Sequence, residues 1–241
     1  MHHFRLPLRS VIRGVHLASL SLLLLVLSAC ANRHQILGTQ YGWDESKVKV
    51  VSDIRVSDLR VRLVRLQNSD CVSGYTEHVE LSGPIGPDSS EVMERLLQKL
   101  TKCQSKSSGK MIVNTVFLNS GGGYLKDGYK MGEIFRKHNM HTVITGGQTC
   151  ASACSVAFLG GRFRTMEHDG LLVFHSPYYV TGVGIDCTDR GQVDVLRNYF
   201  VDKLGVKDGE YLHQRTMNYC SRSNGWKLNA DAAKIFNITT N

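Results

Sequence analysis

The sequence predicts an α/β domain, on three observations. Ile112 to Leu118 is a largely apolar run, fit for a strand covered on both faces. Val193, Leu196, Phe200 and Leu204 recur at helical spacing. Such runs and such spacings alternate along most of the 241 residues, which favours strand–helix units with parallel pairing.

The elements follow in order. Arg5, Arg9 and Arg13 precede an apolar run from Leu20 to Leu27 that is too short to span a bilayer comfortably. It ends Leu27-Ser28-Ala29-Cys30. Small residues before a cysteine at that point resemble a bacterial lipobox, with cleavage before Cys30 and acylation at that residue. Residues 1–29 are then a lipoprotein signal peptide. The competing reading is an ordinary secretory signal. Ala31 is not the aspartate that holds enteric lipoproteins at the inner membrane, which favours the outer membrane. Residues 30–46 read as a polar tether and 47–76 as an N-terminal β extension. In that extension Leu59 to Leu66 alternates apolar with basic residues, the pattern of a half-buried strand whose arginines face solvent.

The main domain is read as 77–241. Val79 to Leu81 opens it as a strand. Asp88-Ser89-Ser90-Glu91 reads as a capping box before a helix with Val92, Leu96, Leu97 and Leu100 on one face. The strand Ile112–Leu118 comes next, then a helix from Tyr124 to His138 and a strand from Thr142 to Thr145. A short helix of small residues runs from Ala153 to Leu159, a strand from Leu171 to Phe174 and a helix from Gly191 to Leu204. Asn229 caps a last helix through Phe236.

Composition narrows the function. The net charge is +8, and loss of residues 1–29 removes three arginines and no acid, leaving +5. That is a mildly basic surface, without the footprint of a nucleic-acid binder. Six cysteines follow Cys30, an even number that suits disulfides in an oxidising compartment. No Cys-x-x-Cys or histidine pair supports zinc. Cys71 precedes a strand and Cys103 ends a helix at the same edge of a β-α unit, so Cys71–Cys103 is the natural bridge. Cys187 and Cys220 flank the helical segment after Phe174 and pair in the same way. Cys150 and Cys154 either bridge across a bend or remain small buried thiols.

The chemistry concentrates between Asn119 and His175. Asn119-Ser120-Gly121-Gly122-Gly123 ends an apolar strand, Cys150-Ala151-Ser152-Ala153-Cys154 forms a small-residue elbow, and Phe174-His175-Ser176-Pro177 closes another strand. These are the parts of a serine hydrolase. Ser152 is the nucleophile and His175 its base. The N–H groups of Gly122 and Ala153 form the oxyanion hole. His168, between Glu167 and Asp169, is the weaker base, and Ser155 points into packing.

These motifs resemble the ClpP proteolytic subunit within the ClpP/crotonase superfamily, over roughly Glu77 to Ile238. Val116 to Gly123 resembles the family's strand followed by Asn-Ser-Pro-Gly-Gly, with Gly121 in place of proline. Gly128, Met131, Ile134 and Phe135 resemble the helix after it, and Gly160-Gly161-Arg162 the turn before the next strand. Cys150-Ala151-Ser152 resembles Ala-Ala-Ser, although Gln148 stands where a glycine usually precedes the elbow. Phe174-His175-Ser176-Pro177 resembles Ile-His-Gln-Pro. The resemblance implies a spiral of β-β-α units, peptide or unfolded-protein substrates, no cofactor and a homo-oligomer. Leu228 to Ala232 resembles the segment after the family's catalytic aspartate, which projects back onto Gly225 with Asn224 beside it. Asn224 is therefore the candidate third member, with Asp194, Asp202 and Asp208 as substitutes. A Ser-Lys dyad finds no clearly placed lysine. The reading that results is an ATP-independent periplasmic peptidase, lipid-anchored in the cell envelope. Its rivals are a non-catalytic envelope scaffold of the same fold and crotonase-like acyl chemistry.

Overall fold

A computed structural model describes residues 36–187, 189–221 and 223–240. The signal peptide and Cys30 lie outside the described residues. The large sheet has six strands: β1 (Val48–Val56), β2 (Leu59–Gln67), β3 (Tyr75–Ser82), β6 (Thr115–Asn119), β7 (His141–Ile144) and β9 (Phe163–Met166), neighbours in that order. The first three pair antiparallel, and β3, β6, β7 and β9 pair parallel. A smaller sheet joins β8 (Thr149–Ala151), β10 (Leu171–Phe174) and β13 (Trp226–Leu228). Two small hairpins are built from β4 (Cys103–Gln104) with β5 (Met111–Ile112) and from β11 (Tyr179–Thr181) with β12 (Gly184–Asp186).

The helices are α1 (Leu37–Gln40), α2 (Ser89–Leu97), α3 (Leu125–Lys137), α4 (Ala153–Leu159), α5 (Arg190–Leu204), α6 (Val206–Met217) and α7 (Ala230–Ile235). Each turn of the chain places a strand in the large sheet, crosses to the small one and returns through a helix. β7, β8 and α4 make one such unit, and β9, β10 and α5 another. After β6 the crossing is made by the bridge of Ser120 to Cys150, before α3. The result is a mixed α/β fold with a mostly parallel central sheet, wound from β-β-α units.

The main core lies between the large sheet and helices α2–α5. Val79, Leu81, Val116 and Leu118 face Met93, Met131, Phe135 and Phe158. Glycine sets the spacing of α3 on α4. A Cβ at Gly160 would collide with the backbone of Gly132, and one at Gly132 with the hydroxyl of Tyr199.

The opposite face of the sheet is covered by residues that the sequence reads as tether. Leu37 packs with Phe117 and Val143, flanked by Tyr41 and Trp43. The Trp43 ring centroid lies 4.9 Å from that of Phe117 and 4.5 Å from that of His78. Under this cover Arg62 is buried and pairs with Glu80 at 2.6 Å, while Glu80 accepts the Gly38 N–H at 3.0 Å. The expected solvated arginine face is thus corrected at Arg62, because the strap excludes water there.

Two further expectations change. Asp88 makes no capping bond, and its φ is 64°. The start of α2 is capped from another helix: Asp127 Oδ1 accepts from the Ser90 N–H at 3.0 Å and the Ser90 hydroxyl at 2.8 Å. The apolar run Ile112–Leu118 is also not one strand, since Met111–Ile112 turns away to pair with β4.

The six cysteines form three disulfides: Cys71–Cys103, Cys150–Cys154 and Cys187–Cys220, with Cα separations of 5.5, 5.2 and 5.9 Å. The first and third close loops of similar length, each worth about 3–4 kcal/mol in the chain-entropy account.

His78 makes the fold sensitive to acid. Its Nδ1 accepts the Thr115 N–H at 3.1 Å, and its Nε2 lies 2.7 Å from Thr76 Oγ1. Burial, then repulsion from His141, lowers its pKa from 6.5 to about 3. The unfolded chain takes up this proton below pH 6.5 and the folded chain does not. The stabilisation is therefore full above pH 6.5 and is lost progressively as the pH falls toward 3, by about 1.4 kcal/mol per pH unit. Urea melts between pH 7 and pH 4 are expected to follow this slope, and His78→Gln to flatten it. Equal slopes in the two proteins would remove His78 from the account.

Candidate active site

Ser152 sits between β8 and α4 in a backbone conformation rare for a side chain-bearing residue, φ 56° and ψ −123°. Such a residue costs on the order of 1–3 kcal/mol and persists only where its surroundings over-determine it. They do so here. The Ser152 N–H donates to the Val173 carbonyl at 2.8 Å, and its carbonyl accepts from the Val156 N–H at 3.2 Å. The Cys150–Cys154 bridge spans the bend. The buried Ser155 hydroxyl is 2.8 Å from both the Cys150 and the Val173 carbonyl oxygens. Ser155 is thus a brace, as its expected packing role requires.

The glycine run is locked beside this elbow. Ser120 donates its N–H to the Thr149 carbonyl at 2.8 Å and accepts the Ala151 N–H at 2.9 Å. On the other side Ile85 donates to the Gly122 carbonyl and accepts from the Tyr124 N–H, both at 2.8 Å. Gly122 has φ 92°, and a Cβ there would lie 2.5 Å from the Ala151 oxygen and 2.6 Å from Ser152 Cβ. Only glycine allows the two segments to approach this closely.

The pairing with Ile85 also decides which amide is free. The Gly122 N–H donates to Ser120 Oγ at 3.1 Å. The Gly123 N–H has no hydrogen-bond partner among the described residues, and Gly123 lines the cleft. The amide of Gly122, the expected oxyanion donor, is thus engaged within the run, and the neighbouring Gly123 amide is the one left without a partner. The second expected donor, Ala153, opens α4, where first-turn amides have no partner within the helix.

Ser152, His175 and the glycine run share one cleft of about 860 Å³. Val156, Phe174, Leu196 and Phe200 give it an apolar floor. Lys126 also lines it, a position the sequence did not single out. No hydrogen bond joins Ser152 to His175. The His175 Nδ1 lies 2.8 Å from the carbonyl oxygen of Ser176, and the Tyr178 ring packs on the imidazole at 5.5 Å between centroids.

Asn224, the expected third member, makes no hydrogen bond to His175, although the antiparallel pairing of Phe174 with Trp226 carries its segment alongside the end of β10. It is exposed, and its Oδ1 accepts the Gly225 N–H at 2.9 Å. The loop that carries it is tied to itself, with the Asn224 N–H donating to Ser221 Oγ at 3.0 Å. The substitutes lie elsewhere. Asp208 accepts from Asn237, Asp202 pairs with Lys203, and Asp194 is exposed on α5. His168 pairs with Asp169 on the surface and lines no part of the cleft. No group of residues able to hold a metal ion occurs among the described residues.

No protein-family model matches this sequence, and no curated protein matches it. Solved structures do. A mutant of ClpP1 from Listeria monocytogenes superposes with a TM-score of 0.50 and 18% identity, covering 67% of this chain and 88% of that one. A mutant of the membrane-bound stomatin-specific protease 1510-N superposes with a TM-score of 0.51 and 12% identity, covering 66% of this chain and 75% of that one. The fold of this chain is that of the ClpP-like serine proteases.

Proposed function

We propose that this chain is a serine hydrolase, a peptidase that acts without ATP on peptides or unfolded segments. One observation carries the reading: a strained serine elbow faces a cleft shared with a histidine and with the Gly123 amide, which has no partner among the described residues. Ser152 Oγ attacks the carbonyl carbon as His175 Nε2 takes its proton. The developing oxyanion is held by the Gly123 and Ala153 amides. The imidazolium then protonates the leaving amine, and water repeats the cycle on the acyl-enzyme. The apolar floor of the cleft suits a hydrophobic side chain of the substrate. Reaction of the purified protein with a fluorophosphonate, read by mass at Ser152, tests this assignment. A protein that neither labels nor cleaves unfolded casein supports the rival reading of a non-catalytic scaffold. The absence of a Ser152–His175 hydrogen bond favours that rival.

The setting is proposed to be the bacterial envelope, periplasm-facing, with the chain anchored through acylated Cys30. The three disulfides suit an oxidising compartment. No helix among the described residues is long and apolar enough to cross a membrane. The wild type is expected to fractionate with membranes and Cys30→Ser to be released or left unprocessed. A soluble, unlipidated wild type would refute the anchor. Self-association is proposed as well, through a face that includes Val180 and Val183, which stand exposed on the β11–β12 hairpin.

A further inference from the structure

We propose that the backbone carbonyl of Ser176 takes the place of an acidic side chain in orienting His175, an inference that rests on the hydrolase reading of this site. A carbonyl oxygen only accepts, so at 2.8 Å it fixes the proton on Nδ1. Nε2 is left bare, which is the state a general base toward Ser152 requires.

The carbonyl is itself held in place. Ser176 is fully buried, and its N–H donates to the Tyr219 carbonyl at 2.9 Å. Its hydroxyl donates to the Pro177 carbonyl at 3.1 Å, with Met217 Sδ at 3.6 Å. Pro177 restricts the backbone of the residue before it to extended forms. The next residue after Tyr219 is Cys220, bonded to Cys187, so the buttress is covalently tied. The histidine–carboxylate pairs of the described residues are His138 with Glu94 and His168 with Asp169, and neither involves His175.

The proton ledger closes without an acid. As the Oγ–carbon bond forms, the Ser152 proton moves to Nε2. The Nδ1 proton stays on the ring, shared with the Ser176 oxygen, which takes up nothing. As the carbon–nitrogen bond breaks, the Nε2 proton leaves with the amine. Ser176 is a positioning residue and acts through its main chain, so replacing its side chain leaves the acceptor in place.

The test reads the imidazole directly. Histidine-selective ¹⁵N NMR of the Ser152→Ala protein, with the imidazole in its neutral form, is expected to show Nδ1 protonated and Nε2 bare. Asn224→Ala is expected to leave that pattern unchanged. An Nε2–H tautomer, or a change of tautomer in Asn224→Ala, overturns the proposal. Because Ser152→Ala does no chemistry, this outcome is separate from a failure of the hydrolase reading, which is decided by labelling of the wild type. A second arm compares Pro177→Ala with the same protein carrying lactic acid at position 177, which turns the amide after Ser176 into an ester. The weaker acceptor is expected to lower kcat roughly five-fold with KM unmoved. An unchanged kcat overturns the proposal.

Discussion

Ser152→Ala is expected to abolish fluorophosphonate labelling and to lower kcat on an unfolded substrate by on the order of a million-fold, the loss typical of removing a serine nucleophile. The substitution removes one oxygen from the cleft, and the elbow keeps its braces. The disulfide, the Ser152 N–H bond to Val173 and the Ser155 bonds are all independent of Oγ. A melting temperature near that of the wild type is therefore expected alongside the lost activity. Labelling that persists in Ser152→Ala and vanishes in Ser155→Ala would move the nucleophile and sink the assignment.

Gly122→Ala is expected to lower activity by about 100-fold or more, the scale set by a displacement of about 1 Å at the reacting centre. The added methyl meets the Ala151 oxygen and Ser152 Cβ, and φ 92° is unfavourable for alanine in any case. Both effects push on the nucleophile. Gly121→Ala is the matched control, because nothing lies within 4 Å of a Cβ there. Activity loss of equal size in the two variants would mean that the run acts through flexibility and not through its fit against the elbow.

The parts of the fold legible in the sequence are those whose signal is local. Leu59–Leu66 alternates, and residues 125–137 and 190–204 carry helical spacing, so strand and helices are readable without a partner. Strands β8 and β13, three residues each, are too short to show a period, and they exist because β10 lies between them. α6 is equally silent in the sequence, since only Gly209, Leu212 and Thr216 are buried on it. The strap at 37–43 has too few apolar residues to announce itself. It is ordered by Phe117 and Val143, far away in sequence.

The site divides in the same way. Ser152 and His175 stand at strand ends with small or proline neighbours, and that chemistry is visible in the chain. Which glycine amide is left without a partner depends on the alignment with Ile85, a long-range fact that no local signal carries. Counting back from Leu228 leads to Gly225 and Asn224. Counting brings the segment alongside β10, but the Asn224 side chain is engaged locally, because the loop closes on itself through Ser221 and Gly225.

The strap has a consequence for position in the cell. Leu37 is already seated on the sheet, so six residues, or seven Cα–Cα steps, separate it from Cys30. Fully extended, they reach about 25 Å, less than the roughly 30 Å thickness of the hydrocarbon layer itself. If Cys30 carries lipid, the domain is on a short leash and works within a few nanometres of the bilayer. Under that proposal, polypeptides away from the membrane must diffuse to it.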